Sequence, residues 1–407
     1  MENILFLCSD YLDDTDASGI CTKNLVLEMI AKGYNVNVIS DSKDKEETII
    51  EDGVTIYKIK SPFFSRIKNK IKKRGFFSRF LLRIICVLRY GFTFFIYPNV
   101  SPVRALKVKK VMFDIIEKKR IDTIIGMYRP YESIEAVMAA KKRYGDNIKA
   151  ITYHLDLIQS PSNKNDFIKK YKQFLGEMAI SKELELVDLM LLPESADLKY
   201  KNHAKVKCVD FPLYIKKEPM VYDKVFFSDN EINIVYMGSL DQDNRNPKYI
   251  LDLLDMVSKR IKKKVFLNIW GNLSDIETKK IIDKYTFVKY HGIVQNKYVL
   301  YILNKSDFIL NIGNKITYNM IPSKIFQIFS TNRPIINCVK NMNDSSVVYF
   351  EKYGHFINIE EYKKNESAID KVVDFINQYE NKSFNVSEEL FKKSTPGYII
   401  DLIAENL

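Results

Sequence analysis

The chain has 407 residues, 46% hydrophobic and 28% charged, enough apolar material for two ordinary domains and too much for disorder. Its 14 Gly and 12 Pro are scattered, which excludes collagen-like and low-complexity architectures, and no repeat recurs at solenoid or propeller periods. The formal charge of +12 is not spread evenly: residues 53–113 hold 15 Lys and Arg and no acid, and removing those 15 leaves 48 basic against 51 acidic residues elsewhere.

The first elements read as strand, glycine turn, helix, strand. Ile4–Cys8 is apolar throughout, as a strand buried on both faces should be. Ser18 and Gly19 open a helix whose apolar positions include Cys21, Leu25 and Met29, and Gly33 is its expected C-cap. Asn35–Ser40 is the next strand. Met1–Leu7 carries no basic residue ahead of its short apolar run, so no signal peptide is expected. Cys8, Cys21, Cys86, Cys208 and Cys338 are odd in number and dispersed, with no CxxC spacing, which argues against a disulfide framework and a zinc site and for a reducing compartment.

Residues 62–98 are the basic stretch. Arg66, Lys70, Lys72, Lys73 and Arg74 interleave with Phe76, Phe77 and Phe80, and the following apolar run is broken by Arg83 and Arg89. Two arginines at about 2.5–3.5 kcal/mol each disfavour a spanning helix. A basic amphipathic surface at an anionic leaflet fits the text, with each cation worth ~1 kcal/mol. A solvated basic face over a core helix is the other reading. No zinc-finger spacing or RNP-like motif supports a nucleic-acid partner.

Short apolar runs then recur at Thr55–Ile59, Thr123–Gly126, Ala150–Tyr153 and Met190–Leu192, with helical text between. Lys216–Asn230 is largely polar, carries Pro219 and separates this set from a second: Ile232–Met237, Val265–Trp270, Val288–His291, Phe308–Ile312, Pro334–Asn337 and Phe356–Ile359. The prediction is α/β, with two doubly wound Rossmann-like domains, 1–215 and 216–395, leaving a cleft between them, and a terminal helix over 396–407. Ligands of such sheets bind at the carboxyl ends of the strands.

Three constellations fall at strand ends in the second domain. In YMGSLDQDNRNP, Gly238 and Ser239 follow a strand and Arg245 sits in the loop, where an arginine can clamp diphosphate oxygens. In VKYHGIV, Gly292 frees the backbone of Ile293 and Val294 to meet a base edge. In NIGNKITYNMIPSKIFQIF, Asn314 follows a strand, and Pro322, Ser323 and Lys324 begin a helix with a hydroxyl and a lysine together. Asn319 and Gln327 stand eight apart.

In this order, GSLxxxxRNP, HGIV, SDFILNIGN and PSKIFQIFSTNRPII resemble the donor domain of family 4 glycosyltransferases of the GT-B fold, of the bacterial capsule, O-antigen and exopolysaccharide type. The first βαβ unit, with Ser18-Gly19 at its glycine loop, is similar to that family's acceptor domain, more weakly. The resemblance implies transfer of a sugar from a nucleotide-sugar, usually UDP-linked, with retention at the anomeric carbon and no cofactor. Its donor residues would be Gly238, Ser239, Arg245, Gly292, Ile293, Val294, Asn314, Asn319, Pro322, Ser323, Lys324 and Gln327, with Arg245 and Lys324 on the diphosphate. Ser18 and Gly19 would form the acceptor or phosphate loop.

The family's paired glutamates are replaced here by Asn319 and Gln327, and Gln327 offers one acceptor and one donor where a carboxylate offers two acceptors. Asp241-Gln242-Asp243 matches a metal-binding DxD, but a motif so short arises by chance, and no metal is expected. His154, at the end of AITY, stands where the family often has a histidine near donor sugar or acceptor, with Asp156 to orient it; a satisfied structural histidine is the alternative. The implied partners are the nucleotide-sugar, a glycan or lipid-linked oligosaccharide acceptor and an anionic membrane surface, placing the protein in the cytoplasm at the inner face of the plasma membrane. The two amides leave open a silent GT-B subunit that binds a sugar nucleotide or a partner transferase. A sugar-nucleotide epimerase shares the architecture; a nicotinamide dehydrogenase is disfavoured because no GxGxxG follows Ile4–Cys8.

Overall fold

A computed structural model describes residues 2–9, 11–12, 17–42, 45–60, 93–158, 166–196, 198–216, 218–225, 227–316, 321–340, 343–361, 366–380, 382 and 384–406. The chain divides into two compact units, Met1–Pro212 with Lys393–Leu407, and Leu213–Lys392. Of the expected basic amphipathic stretch, Arg66, Lys70, Lys72, Lys73, Arg74, Phe76, Phe77 and Phe80 lie outside the described residues, as does Asn319.

The first unit contains β1 (Asn3–Leu7), α1 (Ala17–Ala31), β2 (Asn35–Ser42), β3 (Glu47–Glu51), β4 (Val54–Lys60), α2 (Pro102–Lys119), β5 (Thr123–Tyr128), α3 (Tyr131–Tyr144), β6 (Lys149–His154), α4 (Asp166–Leu186), β7 (Leu189–Leu192), the short α5 (Leu198–Lys201) and β8 (Val206–Cys208). Its sheet runs β3-β4-β2-β1-β5-β6-β7-β8, and only the β3–β4 pair is antiparallel. Ile4, Leu5, Phe6 and Leu7 are fully buried, which is why β1 reads as a continuous apolar run and not as an alternation. From β1 the chain winds outward through β2 and β4, then returns to β5 on the other side, so the β1/β5 boundary is the switch point.

The second unit contains β9 (Glu231–Met237), α6 (Lys248–Ser258), β10 (Lys264–Trp270), α7 (Ile276–Ile282), β11 (Val288–Gly292), α8 (Val299–Lys305), β12 (Phe308–Ile312), α9 (Lys324–Phe329), β13 (Ile335–Val339), α10 (Val347–Tyr353), β14 (Phe356–Glu360) and α11 (Glu366–Tyr379). Its parallel sheet has the order β11-β10-β9-β12-β13-β14, so the switch point lies between β9 and β12. The core joins Ile234 and Tyr236 of β9 to Leu251 and Leu254 of α6 and Val372 and Ile376 of α11.

A last helix, α12 (Pro396–Ala404), belongs to the first unit. Thr395 caps it by accepting from the Tyr398 N–H, Ile399, Ile400 and Ile403 are fully buried, and Lys32 at the end of α1 pairs with Asp401. Among the described residues no helix is long and apolar enough to cross a membrane.

Candidate functional site

The switch point of the second sheet assembles most of the residues expected to bind a donor. β9 ends at Met237 and β12 at Ile312, so Gly238-Ser239 and Gly313-Asn314 leave the sheet side by side. The loop after Gly238 is fastened by its own side chains. Asp241 Oδ1 accepts from the N–H groups of Asp243 (3.0 Å) and Asn244 (2.6 Å), and Gln242 donates to Thr278 Oγ1 at 3.1 Å. The first aspartate of the DxD match is therefore a turn-former, and among the described residues no group of three or more metal-ligating side chains gathers.

That loop delivers Arg245. Its Nε donates to Asn314 Oδ1 at 2.7 Å, and Asn244 Nδ2 donates to the same oxygen at 3.1 Å. Asn314 is buried, so one amide oxygen fixes the guanidinium stem, and the Tyr236 hydroxyl also lies within hydrogen-bonding reach of the guanidinium. Lys324 begins α9 and its side chain is exposed to solvent along part of its length, yet the crowding of protein atoms around the ammonium, and then the Arg245 charge, push it below the usual lysine range. Neither cation forms an ion pair among the described residues. Asp344 feels the Arg245 charge; it is buried, accepts from the Ser346 N–H (2.9 Å) and hydroxyl (2.7 Å), and has its carboxyl raised by that burial.

Beneath the loop, Lys340 and Glu361 form a buried ion pair at the ends of β13 and β14, and Lys340 Nζ donates to Asn246 O at 3.0 Å. Sequence reading singled out neither residue. A lysine and a glutamate each just past a strand end were the available signal.

Gly271 and Gly292 shape the next strand ends. Gly271 has φ +145°, and a Cβ there would stand 1.8 Å from the Gly238 carbonyl oxygen, so only glycine allows β9 and β10 to close here. Gly292 has φ +78°, and Ile293 beyond it is 66% exposed. His291 stacks on Trp270 (4.1 Å between centroids, 11° between planes), its Nε2 lies 3.0 Å from Asn268 Oδ1, and burial, then Lys289, lowers its pKa. In α9, Gln327 is buried and its Nε2 donates to Asn296 Oδ1 at 3.0 Å, leaving its oxygen as the free acceptor. Ser323 stands at the N-cap of α9 without a side-chain cap bond, preceded by Pro322.

In the first unit Ser18 and Gly19 fall in the first turn of α1, where Thr22 Oγ1 donates to Ser18 O at 2.8 Å. At the end of β6 the surroundings of His154 match the alternative of a satisfied structural histidine. His154 is 1% exposed, and its Nε2 pairs at 2.7 Å with Glu183 Oε1 of α4, itself fully buried. Helix α4 packs its apolar face, Ala179, Ile180 and Leu184, over this strand end, and Glu183 shares that face. The accessible polar groups here are instead Asp156 and Arg129, 3.4 Å apart. Burial raises the Asp156 carboxyl, and Arg129 partly opposes it.

No protein-family model matches the chain, and no curated protein matches its sequence. Solved structures do match along nearly all of it. The N-terminal domain of trehalose-6-phosphate phosphatase from Candida albicans is 11% identical with a TM-score of 0.58, over 100% of this chain and 96% of that one. A protein described as a UDP-N-acetylglucosamine 2-epimerase from Listeria monocytogenes is 9% identical with a TM-score of 0.57, over 99% and 95%. The glycosyltransferase SnogD from Streptomyces nogalater is 12% identical with a TM-score of 0.53, over 100% and 99%. Together with the two doubly wound parallel sheets, these likenesses establish the GT-B fold. Because the neighbours include an epimerase and a phosphatase domain, the fold by itself does not choose the reaction.

Proposed function

We propose that the protein is a retaining, metal-independent glycosyltransferase of the family 4 type. It would move a sugar from a nucleoside-diphosphate sugar, a UDP-sugar in the first instance, to a lipid-linked or polysaccharide acceptor in cell-surface glycan synthesis. It would act in the cytoplasm at the inner face of the plasma membrane. The observation that carries this is the pair Arg245 and Lys324: electrostatically coupled, without an ion-pair partner among the described residues, and beside the switch point where such sheets hold ligands. Two cations kept together at a cost to each other need an anion, and a diphosphate supplies it.

In this reading Arg245, aimed by Asn314, and Lys324 hold the diphosphate. Charge-assisted hydrogen bonds are worth about 1.5–3 kcal/mol each. If two of them strengthen as the leaving group gains charge, ~4 kcal/mol accelerates the step about a thousandfold. The leaving phosphate oxygen accepts the acceptor hydroxyl's proton on the same face, so no protein nucleophile is required and positioning supplies the rest. The Arg129–Asp156 pair is the acceptor-side candidate.

The alternative of a silent binding subunit draws on Gln327, whose amide is tied to Asn296 and offers one acceptor oxygen. The test is thermal shift of the purified protein against UDP, GDP, CMP and ADP and their sugar conjugates, with and without EDTA. Ligand at 100 times its Kd stabilises by about 2.7 kcal/mol. The expected result is a shift with one nucleotide, unchanged by EDTA and lost in Arg245→Ala and Lys324→Ala. No shift with any nucleotide would refute the site. A shift without turnover or sugar release would assign the silent subunit, and release of free epimer an epimerase.

A further inference from the structure

Three neighbouring strands of the second sheet carry the same short pattern. Asn311 of β12, Asn337 of β13 and Asn358 of β14 stand in register, and their amides bond in a row: Asn311 Nδ2 donates to Asn337 Oδ1 at 2.8 Å, and Asn337 Nδ2 to Asn358 Oδ1 at 2.7 Å. A slip of either neighbour by one residue would turn its asparagine to the other face and leave the fully buried Asn337 short of a partner. The row therefore fixes the level at which the three strands end. Three residues further on, each strand delivers one polar side chain at its carboxyl end: Asn314, Lys340 and Glu361.

The Asn314 amide holds the Arg245 side chain; the loop on either side of Arg245 is held as well. Before it, Asn244 O accepts from the Lys315 N–H at 3.0 Å and Asn244 Oδ1 from the Ile316 N–H at 2.9 Å, both from the chain leaving β12. After it, Asn246 O accepts from Lys340 Nζ at 3.0 Å, at the end of β13. Lys340 is paired with Glu361 of the next strand, and the two side chains are only 3% and 5% exposed. Burying two charges is a poor route to stability, since an apolar pair of the same size is often neutral or better. An apolar pair would, however, offer no donor to the Asn246 carbonyl.

We propose that Lys340, held by Glu361, is a positioning residue for the anion site: it latches Asn246 and so sets the place from which Arg245 reaches the phosphates. Lys340 acts through Arg245 and does not itself touch the nucleotide. Glu361 keeps the lysine charged and directed at the loop in surroundings that would otherwise favour its neutral form. The ligand in this inference, a nucleoside diphosphate, rests on the transferase reading above; the latch is a property of the loop without ligand.

The test compares the full chain with Lys340→Met/Glu361→Leu, which removes both charges at similar size and should melt close to the parent. Without ligand, the amides of residues 241–246 should exchange hydrogen about tenfold faster or more in the variant, with those of β9 and β10 unchanged. UDP should bind about tenfold more weakly, and uridine as before. In an Arg245→Ala background the same double change should cost no further UDP affinity, because the latch acts through that guanidinium. Lys340→Arg, which keeps a charged donor, should stay within about threefold of the parent. Should the first variant not fold, Lys340→Gln/Glu361→Gln, a neutral pair with a shorter reach toward Asn246, is read with the same expectations. Loop exchange as slow as in the parent overturns the latch. Equal losses for UDP and uridine assign the pair to folding, and equal UDP losses with and without Arg245 assign Lys340 to direct contact; either overturns the positioning role. Faster loop exchange in the variant of a parent that binds no nucleotide supports the latch and refutes the transferase reading.

Discussion

Asn314 accepts the Nε–H of Arg245 at 2.7 Å, joining the loop that follows β9 to the residue that follows β12 across the switch point of the second sheet. The loops that carry them leave strands that pair in parallel, Phe308 to Leu310 against Ile234 to Tyr236, so the sheet starts both loops side by side. A guanidinium held by its inner nitrogen has one orientation left for its outer two, which is what the proposed diphosphate clamp requires of Arg245.

The first prediction concerns that bond. Asn314→Ala leaves Arg245 charged but unaimed and also releases Asn244. Loss of one hydrogen bond to a charged group, worth about 1.5–3 kcal/mol, should raise the Kd for UDP by tenfold or more. Uridine, lacking the diphosphate, should bind as before. Calorimetric titration with both ligands checks this, and a parallel loss for uridine would assign Asn314 to folding of the loop instead.

Much of this geometry was legible in the text. The parallel strands announced themselves as unbroken apolar runs because both faces are covered. Gly238 and Gly292 marked where two of them give way to loops, and Pro322 the start of α9. What escaped had physical causes. β3 is an antiparallel edge strand whose Ile50 is 79% exposed, so ETIIE shows neither a buried run nor a clear alternation. β8 has three residues, too few for any period. Glu183 lies 29 residues from His154 inside a helix, and its only signal was an acid on the same face as Ala179 and Ile180. The order of the sheet decides which helix covers a strand end, and local spacing carries no record of that.

The second prediction is a pH dependence. Lys324 is depressed by burial and by Arg245, and an anion binds the protonated form. Affinity for UDP is therefore full below the lowered pKa and falls as pH rises through it, at a pH short of the ordinary lysine range. Arg245→Gln removes the like charge, so the residual affinity should persist to higher pH than in the parent. Lys324→Arg should flatten the profile, because a guanidinium does not titrate there. Binding measured from neutral pH upward distinguishes these; a parent profile as flat as that of Lys324→Arg would remove Lys324 from the anion site.

A third prediction addresses Gln327. Its Nε2 is committed to Asn296, leaving one oxygen for a ribose hydroxyl. Gln327→Glu supplies two acceptor oxygens, provided that Asn296 turns its amide to donate. Binding of the preferred nucleotide should tighten severalfold, and Gln327→Glu/Asn296→Ala, which forfeits that donor, should recover less of the gain. Unchanged or weaker binding in Gln327→Glu would mean that this position does not meet the ribose.

The fourth follows from the His154–Glu183 pair. Both side chains are buried, and among the described residues His154 Nδ1 and Glu183 Oε2 have no hydrogen-bond partner. Their mutual bond at 2.7 Å is thus the main compensation for desolvating two polar groups. Removing one partner strands the other: Glu183→Leu and His154→Phe should each destabilise the first unit by about 3 kcal/mol or more. Replacing both removes the polar groups together, so the double variant should be less destabilised than the sum of the single changes, with a coupling of about 1–3 kcal/mol. Denaturant unfolding of the four proteins completes the cycle. Nucleotide binding, which the proposed site assigns to the second unit, should not change in any of them. Additive losses would mean that the two groups do not depend on each other, and His154 would then have to be reconsidered as a group held for the acceptor.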